Sequence, residues 1–283
     1  MSGRVLVTGG TGNTGRAIAR RLVERGFAVR VASRASATTA AQVRFDWGDE
    51  ATHAEALRGV TRAYLVAPDL VEDPARWMAP FVTRALAQGV RRLVLLSSSA
   101  ISEGAPGLGV MARMLREQAP EWAVLRPSWF MQNFVDPRQP HARSLLREGV
   151  VVTSTGTGRV GFVDAEDIAE VGARALADER SHDAAHTITG PAALSYAEVA
   201  EIVGRVTGRS FRHVAVSDAE ARARLVGAGV PEGYAELLVG LDAAIRGGAE
   251  DRVTDTVLRV TGRAPRGFEE FVRAHASVFA REG

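Results

Sequence analysis

Residues 4–8, RVLVT, form an apolar run that leads directly into the glycine-rich segment TGGTGNTG (8–15) and then into a stretch with helical spacing. Glycines stand at 9, 10, 12 and 15, which gives Gly10-x-Gly12-x-x-Gly15 and also Gly9, Gly12 and Gly15 three apart. A glycine pattern alone specifies little. A strand before it and a helix after it supply the context of a phosphate-binding turn in a βαβ unit. Glycine is needed there because side chains would hold a pyrophosphate away from the backbone amides. The helix N-terminus then adds its partial positive charge. The spacing predicts a dinucleotide held by Gly9, Thr11, Gly12, Asn13, Thr14 and Gly15. The plainer alternative is a glycine turn that binds nothing.

Short β-rich runs recur at 28–33, 42–46, 62–67, 92–97 and 122–126, with helical stretches between them and a first helix over 16–25 ended by Gly26. Continuous apolar strands separated by helices predict a parallel sheet covered on both faces. Right-handed crossovers make it a doubly wound, Rossmann-like α/β sheet. Beyond Pro127 the rhythm changes. Helices are expected over 129–134, 141–147, 167–177, 195–206, 217–227, 231–246 and 267–279, with a strand and turn at 187–191. The expected layout is a cofactor domain over 1–150 and a smaller, helix-rich substrate lobe over 151–283, partly interleaved with the first.

The end of the second strand discriminates between dinucleotides. An acid there would grip the ribose 2′-hydroxyl of NAD, whereas an arginine accommodates the 2′-phosphate of NADP. This chain has Ser33-Arg34 and no acid until Asp46, so NADP is the expected cofactor. Asp46 and Trp47 close the third strand where an adenine ring would pass, and Trp47 reads either as packing or as a stacking partner. Ala67 and Pro68 end the fourth strand and are expected to shape the loop along the cofactor.

Composition removes several chemistries. There is no Cys and no Lys; all 35 basic residues are Arg. Disulfides, thiol catalysis, Schiff-base lysines and a Tyr-x-x-x-Lys dyad are therefore excluded. The net charge is +2 and charge runs are missing, so no nucleic-acid surface is expected. No apolar stretch is long enough to span a membrane and the N-terminus lacks a signal-peptide layout. A soluble cytoplasmic protein is expected, with a small-molecule partner and a homo-oligomer left open. Of the six histidines, only His182 and His186 are four apart, in a loop-to-strand region where metal binding is not expected. Asp164 and Asp167 stand at a helix start and read as caps.

Residues 8–15 resemble the opening of the NmrA-like proteins, a family of atypical short-chain dehydrogenase/reductases. Phe45-Asp-Trp47, LVLLSS (93–98), LRPSWFMQN (125–133), Phe162-Val-Asp-x-x-Asp-Ile168 and Thr189-Gly-Pro191 are similar to that family's later blocks, in order. Within it the chain is similar to a branch related to ergot-alkaloid and azo/quinone reductases. The resemblance implies an NADP-binding Rossmann domain with a small C-terminal substrate lobe. It also implies Ser97 and Ser98 at the nicotinamide end and Ser99 in the place of a catalytic serine. The usual Tyr-Lys proton donor is absent, since the tyrosines are Tyr64, Tyr196 and Tyr234. Trp129, Phe130, Asn133 and Phe134 are expected to meet a flat substrate, with lobe core as the alternative for Trp129 and Phe134. His141 is a candidate proton donor. The expected function is NADPH-dependent hydride transfer to a quinone, enone or iminium. A non-catalytic NADP-binding sensor and a redox-neutral isomerase or cyclase are the alternatives.

Overall fold

The computed structural model describes residues 3–69, 71 and 73–279. The chain opens with β1 (Arg4–Val7) and α1 (Asn13–Glu24), then β2 (Val29–Ser33), β3 (Gln42–Arg44), α2 (His53–Leu57) and β4 (Val60–Leu65). α3 (Ala75–Ala87), β5 (Arg92–Leu96), α4 (Leu108–Gln118) and β6 (Glu121–Pro127) follow. Next come α5 (Pro140–Glu148), β7 (Val150–Thr153), β8 (Arg159–Val160), α6 (Ala165–Ala177) and β9 (Ala184–Ile188). The described chain ends with β10 (Leu194–Ser195), α7 (Tyr196–Thr207), β11 (Arg212–Ala215), α8 (Asp218–Gly227), α9 (Glu232–Arg246), α10 (Thr256–Thr261), α11 (Phe268–Ala274) and α12 (Ala276–Phe279).

Two compact units result. One holds the chain up to Pro127 together with Glu166–Thr187, and the other holds Ser128–Ala165 and the chain from Ile188 onward. The chain thus leaves the first unit at Pro127 and returns for Glu166–Thr187, in place of a main passage near residue 150. Charge and shape explain the return of α6. Arg21 and Arg25 on α1 pair with Glu170 at 3.0 and 2.6 Å. Gly172 lets the same helix close on the sheet, since a Cβ there would stand 2.8 Å from Ile18 Cδ1 and 3.0 Å from Leu125 Cδ1. Arg92, 2% exposed, caps the C-terminal end of α6 through the carbonyls of Ala175, Leu176, Asp178 and Glu179 and pairs with Glu121 at 2.5 Å.

The first unit is built on a seven-stranded sheet of order β3-β2-β1-β4-β5-β6-β9, parallel in every pairing from β3 to β6. Val5–Val7 and Leu93–Leu95 are fully buried, which is why these strands read as unbroken apolar runs. Register aligns the carboxyl ends: Val7 lies beside Val31 and Tyr64, and Leu65 beside Leu95. Strand order reverses between β1 and β4, the place where open α/β sheets bind ligands.

The second unit packs Phe134, Phe162, Tyr196 and Phe268 around one aromatic core, with β7 parallel to β11 and β8 antiparallel to β10. Two expected helices are corrected here. Residues 129–134 hold only a 3-10 turn over Met131–Phe134, because a bridge to Val163 keeps Trp129 and Phe130 extended. The 267–279 stretch breaks at His275, whose ring lies 4.2 Å from that of Phe271 while Nδ1 takes the Phe271 carbonyl.

Candidate active site

The turn after β1 is shaped by glycine at particular atoms. Gly9 has φ +59°, a left-handed conformation that favours glycine. A Cβ on Gly10 would stand 2.4 Å from Val31 Cγ1, and one on Gly15 2.3 Å from the Gly9 carbonyl oxygen. These two positions let turn, strand and helix touch. Gly12 differs. A Cβ there would meet only the Gly9 carbonyl oxygen, at 3.2 Å, so the space above Gly12 is not taken by protein. Gly12 is the N-cap of α1, with no side-chain cap and no acid in the first turn. Uncapped N–H groups, a bare approach and the helix dipole fit a pyrophosphate. Thr11 is exposed and Asn13 half-buried at this rim. Thr14 points inward, accepting from the buried Tyr64 hydroxyl at 3.0 Å. Thr8 completes the tie, donating to the Tyr64 carbonyl at 3.1 Å and accepting from Val66 N at 2.8 Å.

The other strand ends arrive at the same edge of the first unit. Ser33 ends β2 and Arg34 follows it, exposed, with no ion pair or hydrogen bond to any described residue. Asp46 is half-buried and accepts from Gly48 N at 2.9 Å. Trp47 is 8% exposed; its Nε1 donates to the Val66 carbonyl at 3.1 Å, and Phe45 and Phe81 meet its ring edge-on. The Trp47 ring is a core element and not an open stacking face. Ala67 and Pro68 lie half-buried after β4.

Ser97, Ser98 and Ser99 follow β5. Backbone bonds from Ser97 N to Leu125 O (2.7 Å) and Ser99 N to Pro127 O (2.9 Å) extend the β5–β6 pairing and fix this segment. Ser98 Oγ accepts from Ala100 N at 3.2 Å. Ser97 Oγ has no hydrogen-bond partner among the described residues, and Ser99 is more enclosed, at 4% exposure. Sequence reasoning passed over Arg126. Its guanidinium donates to the Ser99 carbonyl at 3.1 Å and braces the serine segment from β6. The available signal was an arginine inside the apolar run WAVLR.

Within the second unit, Trp129, Phe130 and Asn133 are half-buried, and the side-chain amide of Asn133 makes no hydrogen bond to a described residue. Phe134 is fully buried against Phe162 and Phe268 and belongs to the core. Gln132, also passed over, ties the segment down. It donates to Asp164 at 2.8 Å and accepts from Ala165 N at 2.9 Å, while Arg266 pairs with Asp164 at 2.7 Å. His141 packs by Phe134 and Tyr196, and burial lowers its imidazole to about 4, so it is neutral at pH 7 and a poor acid. Tyr64 and Tyr196 are buried and raised, which removes both as ready proton donors. Among the described residues no group of three or more His, Asp or Glu could hold a metal ion, and no helix is long and apolar enough to cross a membrane.

Known proteins share this architecture. The chain is 46% identical over 275 residues to the uncharacterized oxidoreductase YesF of Bacillus subtilis (strain 168), covering 96% of this chain and 95% of that protein. It is 35% identical to agroclavine dehydrogenase of Claviceps fusiformis, covering 97% and 98% of the two chains. Among solved structures, Citrobacter sp. triphenylmethane reductase superposes with a TM-score of 0.81 at 22% identity, covering 97% of this chain and 99% of that one, a likeness of fold. Residues 1–272 match the NmrA-like family, and the chain belongs to it.

Proposed function

We propose that this protein is an NADPH-dependent oxidoreductase that passes hydride to a flat conjugated small molecule of the quinone, enone or iminium type. The observation that carries the reading is the pairing of the open, uncapped Gly12 turn with an Arg34 at the next strand end that has no partner among the described residues. The first suits a pyrophosphate and the second a 2′-phosphate. The oxidoreductase and dehydrogenase relatives support the same class.

When bound, NADPH supplies the hydride. The chain's own tasks are separate. Gly9, Thr11, Gly12, Asn13, Thr14 and Gly15 hold the diphosphate, and Arg34 with Ser33 selects the phosphorylated ribose. Asp46, Trp47, Ala67 and Pro68 form the remaining wall, with Trp47 as packing behind it. Ser97 and Ser98 orient the nicotinamide end. Ser99 stabilises negative charge on a carbonyl oxygen, held in place by Arg126 behind it. Trp129, Phe130 and Asn133 offer two aromatic faces and one oriented amide to substrate. No Lys exists and two of the three tyrosines are buried, so an acceptor that takes hydride without a dedicated acid fits best.

NADPH deuterated at C4 tests this against a panel of quinones, enones and iminium ions, with product mass as the readout. Deuterium in product is the expected result. Tight NADPH binding with no transfer to any acceptor would overturn the reading in favour of a sensor without turnover, which the missing Tyr-Lys dyad favours.

A further inference from the structure

Near the amino-terminal ends of its central strands, the first unit carries charges that the proposed function leaves unused. Arg62 in β4, Arg92 in β5 and Glu121 in β6 stand side by side in register. Like charges directly opposite each other on neighbouring strands are destabilising unless something offsets them. Glu121 offsets one of the two, accepting from Arg92 Nε at 2.5 Å. Arg92 is almost fully buried, and its other bonds go to carbonyls at the end of α6. Arg62 has one such bond, from Nη1 to the Leu176 carbonyl, and its guanidinium carbon lies 5.2 Å from the centre of the Phe27 ring. Its Nε and Nη2 have no hydrogen-bond partner among the described residues.

A cavity of about 240 Å³ opens at this place, and Arg62, Arg92 and Glu121 line it together with Phe27, Thr61 and Arg91. Arg91 is exposed, and its side chain makes no hydrogen bond or ion pair with a described residue; the Thr61 hydroxyl makes none either. Three arginines against one glutamate leave this wall with two positive charges. Burial and the neighbouring Arg92 charge both disfavour the charged form of Arg62, and Glu121 returns only part of that loss. The cavity is smaller than the roughly 300–1,000 Å³ of sites that take drug-sized molecules, so it suits a small ligand. It lies at the end of the parallel sheet opposite the glycine turn that follows β1, and is a separate place from the proposed cofactor site.

We propose that this cleft binds a small phosphate dianion, with the open donors of Arg62 and Arg91 and the Thr61 hydroxyl as its partners and the buried Arg92 as a fixed charge behind them. A phosphate brings nearly two negative charges, which matches the wall, and guanidinium forks fit its oxygens two at a time. A monocarboxylate would leave one arginine uncompensated. Arg62 and Arg92 meet the same Leu176 carbonyl, so an anion that removes their repulsion also tightens the end of α6 on the sheet. Binding to the folded chain alone therefore raises its melting temperature.

The test is a series of thermal melts of the full chain at pH 8 with rising inorganic phosphate or glycerol phosphate, each against chloride at the same ionic strength. Phosphate should raise Tm saturably and beyond chloride, and the probe with the lower half-saturation shows whether the free or the esterified ion is preferred. Arg62→Gln and Arg91→Gln should each raise the half-saturation concentration about tenfold. Arg91 has no side-chain partner to lose among the described residues, so its variant keeps the test open if Arg62→Gln loosens α6. The same series on Gly12→Ala counts any phosphate at the α1 turn apart, and the arginine effects should persist there. Equal rises with phosphate and chloride, or arginine variants that respond as the wild type does, would overturn the proposal. The readout needs neither NADPH nor hydride transfer, so this site stands or falls apart from the reductase reading.

Discussion

Replacing Gly12 by alanine separates binding from folding, because the turn's glycines fail for different reasons. An added Cβ at Gly12 lies 3.2 Å from one carbonyl oxygen and meets no other atom within 4 Å. As an N-cap change, glycine to alanine costs up to about 1 kcal/mol, which for a chain of this size lowers Tm by roughly 2–4 °C. In the proposed placement of the cofactor, the methyl group stands where phosphate oxygens would come to reach the α1 amides. Losing two charge-assisted hydrogen bonds, at roughly 1.5–3 kcal/mol each, weakens NADPH by about 10²–10⁴-fold. Gly15→Ala is the contrast. Its Cβ would stand 2.3 Å from the Gly9 oxygen and 2.8 Å from the Gly9 carbonyl carbon, so turn and helix must separate. Overpacking of that kind costs about 1–3 kcal/mol or more, and Tm should fall well beyond the Gly12 value. Titration calorimetry with NADPH and a thermal melt, run on both variants, read the two effects apart. A Gly12→Ala protein that binds NADPH as tightly as wild type would refute the placement of the pyrophosphate.

Arg34→Ala should weaken NADPH about tenfold to a hundredfold and leave NADH unchanged, since only the former carries the 2′-phosphate. Equal calorimetric losses for both cofactors would make Arg34 a structural residue. Arg92→Ala strips a buried partner from Glu121 and from the carbonyls at the end of α6. The expected cost is about 3–5 kcal/mol, read as a lower urea midpoint; an unchanged midpoint would show that α6 is held by other contacts.

The sheet was legible because its central strands β1 and β5 are buried on both faces and carry no alternation to misread; 92–96 and 4–7 stand out as apolar runs. The glycine turn was legible because its residues are forced by local contacts over a few positions, Gly15 against Gly9 above all. What escaped depends on distant partners. Met131–Phe134 has helical composition, yet a bridge to Val163, thirty residues on, keeps the approach to it extended. β7 and β11 pair across sixty residues and are only four residues each, too short to show a period. Gln132, Asp164 and Arg266 form a network only when three separate segments meet. Trp47 shows the limit for single aromatics. Core and ligand face have the same composition, and only the donation to Val66 and the edges of Phe45 and Phe81 decide it.

Acid stability should carry the signature of His141. Burial holds its imidazole at about 4 in the folded chain, against 6.5 for an exposed one. Between those values the unfolded chain binds a proton that the folded chain refuses, so the stability of the fold rises with pH from 4 to 6.5 and is lost as pH falls back through that window. One proton is worth about 1.4 kcal/mol per pH unit, which bounds the loss near pH 4 at roughly 3 kcal/mol. His213 is shifted the same way by burial and adds to the slope. His141→Phe keeps a ring beside Phe134 and Tyr196 but removes the titrating group. Its urea midpoint should therefore depend less steeply on pH between 4 and 6.5 than the wild-type midpoint, with the two proteins converging toward neutrality. The same shift bears on chemistry. A neutral imidazole is far too weak an acid at pH 7 to protonate a developing alkoxide, so the variant's NADPH oxidation should keep the wild-type pH profile above pH 6. Parallel stability slopes for the two proteins would mean that His141 reaches solvent and titrates normally, and the imidazole would return as a candidate acid.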